Sequence, residues 1–257
     1  MHIRELFDLS GKTAIVTGGG SGLGRQMAQA LAESGANLVL CARKADRCEQ
    51  AAEELRSLGV QAIGLACDVR DPEQIQSVVD RSVAELGSVD ILVNNSGTSW
   101  GASPEDVPLS GWQKVIDVNL TGPFLFTQAA GKEMIRQRSG KVINIASIAA
   151  FRGAPQEAMN AIPYNASKGG LISFTRDLAV KWARFGINVN AIAPGWFPSE
   201  MSHEVLDQSG GLLMQRIPLG HYGGPDDLKG AVVFLASAAS NYVTGATLPV
   251  DGGLLAG

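Results

Sequence analysis

From residue 12 onward the chain alternates short apolar runs with longer amphipathic stretches, and this alternation restricts its fold more than any other feature. "KTAIVT" (12–17), "NLVLCA" (37–42), "QAIGLAC" (61–67), "DILVN" (90–94), "KVINIA" (141–146), "INVNAIA" (187–193) and "TLPV" (247–250) read as strands. Helix-period stretches lie between them. These are "LGRQMAQALAESG", stopped by Gly35; "ADRCEQAAEELRSLG" (45–59); and "PEQIQSVVDRSVAELG", opened by Pro72. A long helix covers roughly 110–137, another about 163–184, and a helical region precedes the last strand. Proline suits the first helical turn and glycine the position just past the last. Strands apolar on both faces and separated by helices predict a parallel sheet covered on both sides. With right-handed crossovers this is a doubly wound, Rossmann-like α/β architecture. No internal repeat or low-complexity linker divides the chain, so residues 1–257 are expected to form one domain. Two irregular stretches, 148–162 and roughly 194–224, are expected to be substrate loops, because long irregular segments in a compact domain are often functional.

Composition narrows the function classes. A chain of 257 residues, 45% hydrophobic and 18% charged, can bury a sizeable core and is too apolar for a disordered chain. The net charge of −4, with basic residues dispersed, argues against a nucleic-acid partner. No apolar run reaches the length of a membrane span, and "MHIRELFDLSGK" has none of the apolar character of a signal peptide. Cys41, Cys48 and Cys67 form no C-x-x-C pair, which fits a reducing, cytoplasmic setting. His2, His203 and His221 are scattered, so no metal site is expected.

"TGGGSGLG" (17–24) joins the first strand to the first helix. Small residues there let the backbone approach a pyrophosphate, and the helix N-terminus supplies N–H donors and the positive end of its dipole. Gly18, Ser21, Gly22, Leu23 and Gly24 are therefore candidate cofactor contacts, although the spacing is T-G-x-x-x-G-x-G and not G-x-G-x-x-G. An acidic residue at the end of the second strand would bind ribose hydroxyls. Here Ala42 occupies that place, followed by Arg43 and Lys44. A guanidinium can hold a 2′-phosphate through paired hydrogen bonds, so NADP(H) is favoured, with NAD(H) the alternative.

Further motifs appear in order. They are "CDV" (67–69), "NNSG" (94–97), "DVNL" around Asn119, "NIAS" ending at Ser147, "YNASK" (164–168), "APG" (193–195) and "VDGG" (250–253). Together with the glycine loop they resemble the short-chain dehydrogenase/reductase family along nearly the whole chain. The resemblance adds Asp68, Val69, Asn95, Gly97, Pro194, Gly195 and Phe197 to the cofactor contacts, and Tyr164 and Lys168 as well. It implies Ser147, Tyr164, Lys168 and Asn119 as the catalytic set. The chemistry of the residues agrees. Tyr164 and Lys168 are four apart and share a helix face. Tyr164 can give a proton to a developing alkoxide, or accept one as phenolate in the reverse direction. A lysine cation nearby is expected to lower the phenol's pKa. Ser147 can hydrogen-bond the substrate oxygen. The resemblance further gives Lys168 a contact to the nicotinamide ribose, and Asn119 a water that extends a proton path.

Tyr164 lies seventeen positions after Ser147, an interval several residues longer than in many family members, and the extra material is expected to bulge over the site. Trp100, Phe151, Met159, Trp196 and Met201 are candidate pocket residues, and a lining of this kind suits a largely apolar ketone. "SGTSWGA" and "APGWFPSEMS" resemble segments of reductases acting on 3-ketoacyl thioesters. The alternative is a gluconate 5-dehydrogenase-like enzyme of keto-sugar acids, for which Arg152 and His203 are candidate cations. A non-catalytic dinucleotide-binding protein is a third class, against which the intact catalytic set argues. The helices at 110–137 and 163–184 resemble those that join family members into homo-oligomers, dimers or tetramers.

Overall fold

A computed structural model describes residues 1–153, 159–200 and 202–257. In chain order its main elements are α1 (Ile3–Leu6), β1 (Thr13–Thr17), α2 (Gly22–Glu33), β2 (Asn37–Ala42), α3 (Ala45–Arg56), β3 (Ala62–Ala66), α4 (Pro72–Leu86), β4 (Ile91–Asn94), α5 (Leu109–Ile116), α6 (Gly122–Gln137), β5 (Gly140–Ile145), α7 (Ile162–Trp182), β6 (Ile187–Pro194), α8 (His203–Gln215), α9 (Lys229–Ala236) and β7 (Thr247–Val250). The strands among the described residues make one parallel sheet in the order β3-β2-β1-β4-β5-β6-β7. The order reverses between β1 and β4, and a crevice opens there at the C-terminal ends of the strands.

Alternation along each strand sends neighbouring side chains to opposite faces. Ala14, Val16, Leu38, Leu40, Ile91, Val93, Ile143 and Ile145 pack on one side with Met27 and Leu31 of α2 and Val232 and Leu235 of α9. Ile15, Val39, Leu92 and Val142 pack on the other with Ile75 and Val78 of α4 and Phe126 and Met134 of α6. Each large apolar side chain so buried stabilises the fold by about 1.5–3 kcal/mol. A buried polar chain also crosses the second side. Asn94 Nδ2 donates to Thr127 Oγ1 and Asn144 Oδ1, and Asn144 Nδ2 donates to Thr175 Oγ1, each at 2.9 Å. It ties α6 and α7 to β4 and β5, and so fixes the helix that carries Tyr164 and Lys168.

The single helix expected over 110–137 is divided. Residues Asp117–Thr121 form a π-helical turn between α5 and α6. Pro123 lacks the N–H that would bond the Asn119 carbonyl in an α-helix, and its ring crowds that carbonyl. The ladder widens instead, with Gly122 N–H reaching Asp117 O. Among the described residues no helix is long and apolar enough to cross a membrane.

Candidate active site

The crevice between β1 and β4 is fastened from both strands. Thr17 Oγ1 accepts from Asn95 N (3.0 Å) and Ser96 N (2.9 Å), and Asn95 Nδ2 donates to Thr17 O (2.9 Å). Gly18, with φ +66°, turns the chain sharply out of β1. A Cβ at Gly24 would lie 2.3 Å from Gly18 O, so only glycine lets α2 start this close to the loop. Ser21 precedes α2 without capping it through its side chain, which leaves the first-turn N–H groups to an anion. Gly22 and Leu23 form that first turn. These residues fit the pyrophosphate of a dinucleotide. Arg43 and Lys44 stand exposed just past β2. Asp68 and the buried Val69 follow β3. The Arg70 hydrogen bond holds the Asp68 carboxyl below its ordinary value, and the Arg43 charge adds a weaker pull. Arg43 thus sits beside the adenosine end of the crevice, where it would hold a 2′-phosphate.

Ser147 follows β5 and opens a short 3₁₀ turn, its Oγ accepting from Ala149 N at 3.1 Å. It also hydrogen-bonds the Tyr164 phenol, which lies in the first turn of α7 beside Pro163. One turn further, Lys168 is buried at 4% exposure, and its Nζ donates to Ile145 O at 2.7 Å. The sequence predicts that Lys168 lowers the phenol's pKa. The structure corrects this. Burial pushes Tyr164 above its ordinary value and the Ser147 hydrogen bond is the opposing influence, while the Lys168 ammonium lies 5.6 Å from the ring centre. Burial also lowers Lys168 itself to about 8.

Asn119, on the π turn, is fully buried. Its Oδ1 accepts from Thr98 N (2.8 Å), and its Nδ2 donates to Thr98 O (2.9 Å) and Ser167 Oγ (3.0 Å). Gly97 keeps a gap open beside it. The point where a Cβ would sit is 3.6 Å from Asn119 Oδ1 and 3.8 Å from Lys168 Nζ.

Just past Ser147, Ile148 joins Ile217 and Leu254 in a buried cluster with Trp196, Tyr222 and Leu255 packed against it. Phe151 is 45% exposed and lines a cleft of about 270 Å³ with Arg152, Leu254, Leu255 and Gly257. Arg152 Nη1 donates to Leu254 O at 2.9 Å, which joins the segment after Ser147 to the C-terminal tail. Trp100 lies over Gly111, with the Lys114 ammonium 5.4 Å from its ring. Met159 is half-buried. Pro194 ends β6, and Gly195 lets the turn at Asp251 approach. Phe197 is buried with its ring against Gly223. His203 pairs with Asp207 on the exposed face of α8. Met201 and part of the lengthened segment, residues 154–158, lie outside the described residues.

Several contributors escape a reading of the sequence. Ser199 sits with its Cβ 4.0 Å from the Cβ position of Gly22, over the glycine loop, and is braced by Ser202 Oγ at 2.9 Å. Arg47 of α3 pairs with Glu200 at 2.9 Å across the same opening. Nothing local in the sequence marked Ser199 or Arg47. Among the described residues no group of three or more His, Cys, Asp or Glu is placed to hold a metal ion.

A family model described as Enoyl-(Acyl carrier protein) reductase matches residues 18–255. The chain is 40% identical over 257 residues to the 2-dehydro-3-deoxy-D-gluconate 5-dehydrogenase of Escherichia coli (strain K12), covering 99% of each chain. It is 36% identical over 244 residues to the 3-oxoacyl-(acyl-carrier-protein) reductase of Staphylococcus aureus, covering 95% of this chain and 98% of that one. The crystal structure of a gluconate 5-dehydrogenase from Burkholderia cenocepacia, in complex with NADP and tartrate, superposes with a TM-score of 0.94 at 37% identity, covering 100% of both chains.

Proposed function

The chain belongs to the short-chain dehydrogenase/reductase family of NAD(P)(H)-dependent oxidoreductases, and on that premise we propose that it is an NADP(H)-dependent carbonyl reductase of a largely apolar ketone, such as a 3-oxoacyl thioester. The observation that carries this reading is the meeting of Ser147, Tyr164 and Lys168 at the end of β5, beside an apolar wall of Ile148, Trp196 and Leu254. When bound, the cofactor supplies the hydride. Gly18, Ser21, Gly22, Leu23 and Gly24 would hold its pyrophosphate; Arg43 and Lys44 its 2′-phosphate; Asp68 and Val69 its adenine. Asn95, Gly97, Pro194, Gly195 and Phe197 would border its nicotinamide half. Ser147 hydrogen-bonds the carbonyl oxygen and Tyr164 gives it a proton. Burial favours the protonated phenol, which suits an acid. Lys168 holds the end of β5 in place and restores the proton to Tyr164. The gap left by Gly97, with Asn119 Oδ1 and Lys168 Nζ on its walls, has the polar lining a relay water needs.

A second reading, a dehydrogenase of keto-sugar acids, is favoured by the E. coli relative and by the Arg152 cation at the cleft beside Phe151. We further propose a cytoplasmic homotetramer. Phe124 of α6 stacks edge-to-face on Phe174 of α7 yet stays 46% exposed, and Val180 is 80% exposed on α7. Apolar surface of this kind suits self-association about two-fold axes. The test is oxidation of NADPH, with NADH in parallel, against 3-oxoacyl thioesters, 5-keto-sugar acids and cyclic ketones. Fastest turnover of the thioesters with NADPH is expected. Turnover confined to the sugar acids would install the second reading, and tight NADPH binding without turnover on any carbonyl would overturn both.

A further inference from the structure

Asn160 lies four residues before Tyr164, just outside the start of α7. The residue next to the helix, Ala161, offers no side-chain cap, and asparagine is a residue type that often caps helices. Asn160 does not turn back to α7. Its backbone oxygen accepts from Ala102 N at 3.1 Å. With the side-chain amide oriented by its neighbours, Nδ2 donates to Ala102 O at 2.7 Å and Oδ1 accepts from Ser103 N at 3.2 Å. Three hydrogen bonds thus join the chain just ahead of Tyr164 to the loop between β4 and α5.

That loop is anchored at its other end as well. Thr98 is held through both backbone groups by Asn119, and Trp100 is seated on Gly111. Gly97, at the head of the loop, lies beside Lys168 Nζ, and Asn160 ties the far part of the loop to the residues just before Tyr164.

We propose that Asn160 is a positioning residue that fixes the substrate-side wall to the start of α7, and so sets the placement of the ketone against Tyr164. It touches neither the reacting atoms nor the cofactor loop. The inference rests on the reading of Tyr164 as proton donor. A misplacement of about 1 Å at a reacting centre can cost about 10²-fold in rate, so a looser wall is felt in kcat/KM for the ketone.

The test compares Asn160→Ala and Asn160→Asp with the unaltered protein. Asn160→Ala removes both side-chain bonds. Asn160→Asp keeps the shape and the acceptor to Ser103 N, but sets a carboxylate oxygen against Ala102 O. Hydrogen–deuterium exchange at Ser103 is expected to quicken at least tenfold in Asn160→Ala and much less in Asn160→Asp. KM for the ketone is expected to rise about tenfold in both, with kcat reduced less and the Kd for NADPH within twofold of the original. A role confined to general stability would lower NADPH affinity and Tm together and leave KM alone, and that pattern overturns the proposal. Unchanged exchange at Ser103 overturns it too. If the unaltered protein reduces no carbonyl, the reading of Tyr164 fails instead, and the exchange result still decides whether Asn160 joins the two segments.

Discussion

At Tyr164 burial and the Ser147 hydrogen bond pull in opposite directions, and burial wins. The phenol is thus protonated over the whole neutral range, which favours ketone reduction. Tyr164→Phe keeps the ring and its packing but removes the proton, so kcat for reduction is expected to fall by at least about 10²-fold. The Kd for NADPH, followed by nucleotide fluorescence, is expected to stay within twofold. Full turnover in this variant would remove Tyr164 from the reaction. The same geometry sets a pH profile. On the proposed mechanism, reduction needs Tyr164 protonated and Lys168 able to supply its proton. Lys168, lowered to about 8 by burial, loses its proton first as pH rises. Hence kcat/KM for reduction should be level below that value and decline above it, since this ratio reports the ionisations of the free enzyme. A profile still rising at pH 9 would contradict that order of ionisation.

The start of α2 depends on a contact that no side chain permits. In Gly24→Ala the new methyl would lie 2.3 Å from Gly18 O and 2.5 Å from Asn95 Nδ2, both parts of the fastening between β1 and β4. The helix must retreat, carrying its first-turn N–H groups away from the phosphate position. At least tenfold weaker NADPH binding and a lowered Tm are expected. Gly230→Ala, on an exposed turn of α9 with nothing within 4 Å of the added carbon, serves as the control. There alanine should stabilise by about 0.5–1 kcal/mol and leave Kd unchanged. If both variants bind NADPH alike, the close approach at Gly24 has no role in binding. The contrast also explains what was legible in the sequence. The strands lie within a residue of their expected limits, because a strand buried on both faces of a parallel sheet reads as one continuous apolar run. The glycine loop was legible from its place between a strand and a helix, and Ser147, Tyr164 and Lys168 from ordered motifs that resemble the family's. The π turn was not, since it arises from one carbonyl that Pro123 leaves without a donor while the apolar periodicity runs on unbroken. Nor were Asn160 with Ser103, Arg47 with Glu200, or Asn144 with Thr175. Those pairs are joined by tertiary structure, and a polar residue far along the chain carries no local sign of its partner. The pKa of Tyr164 departs from the sequence expectation for a related reason: charge and spacing are written in the sequence, whereas depth of burial is not.

Across the whole molecule, ionisable groups buried by the fold set a stability maximum on the alkaline side. Lys168 and Lys141 are lowered by burial from 10.5 to about 8. The Lys141 ammonium donates to amide and hydroxyl oxygens, those of Asn188, Ser240 and Asn241. Between about pH 8 and 10.5 the unfolded chain therefore holds more protons on these lysines than the folded one does, and stability rises with pH. A tenfold change in an acid constant corresponds to about 1.4 kcal/mol, so Lys168, almost fully buried, accounts for a rise on the order of 3 kcal/mol over that window. The half-buried Lys141 adds a smaller share. Three acids work the other way. The Cys41 thiol, in contact with Cys67, is held well above 9, burial raises Cys48 to about 11, and Tyr164 is raised above 10. For these groups the folded state keeps protons that the unfolded chain has released, so stability falls as pH climbs past 9. The two sets cross, and the free energy of unfolding is expected to peak between about pH 9 and 10. Urea denaturation under reducing conditions from pH 7 to 11 measures it. Lys141→Met should flatten part of the rise, and Cys48→Ala should soften the fall and carry the maximum upward. A stability that declines steadily from pH 7 would mean that the folded protein holds the protons of Lys168 and Lys141 as firmly as the unfolded chain does. That would require compensation for burial beyond the hydrogen bonds to Ile145 and Asn188.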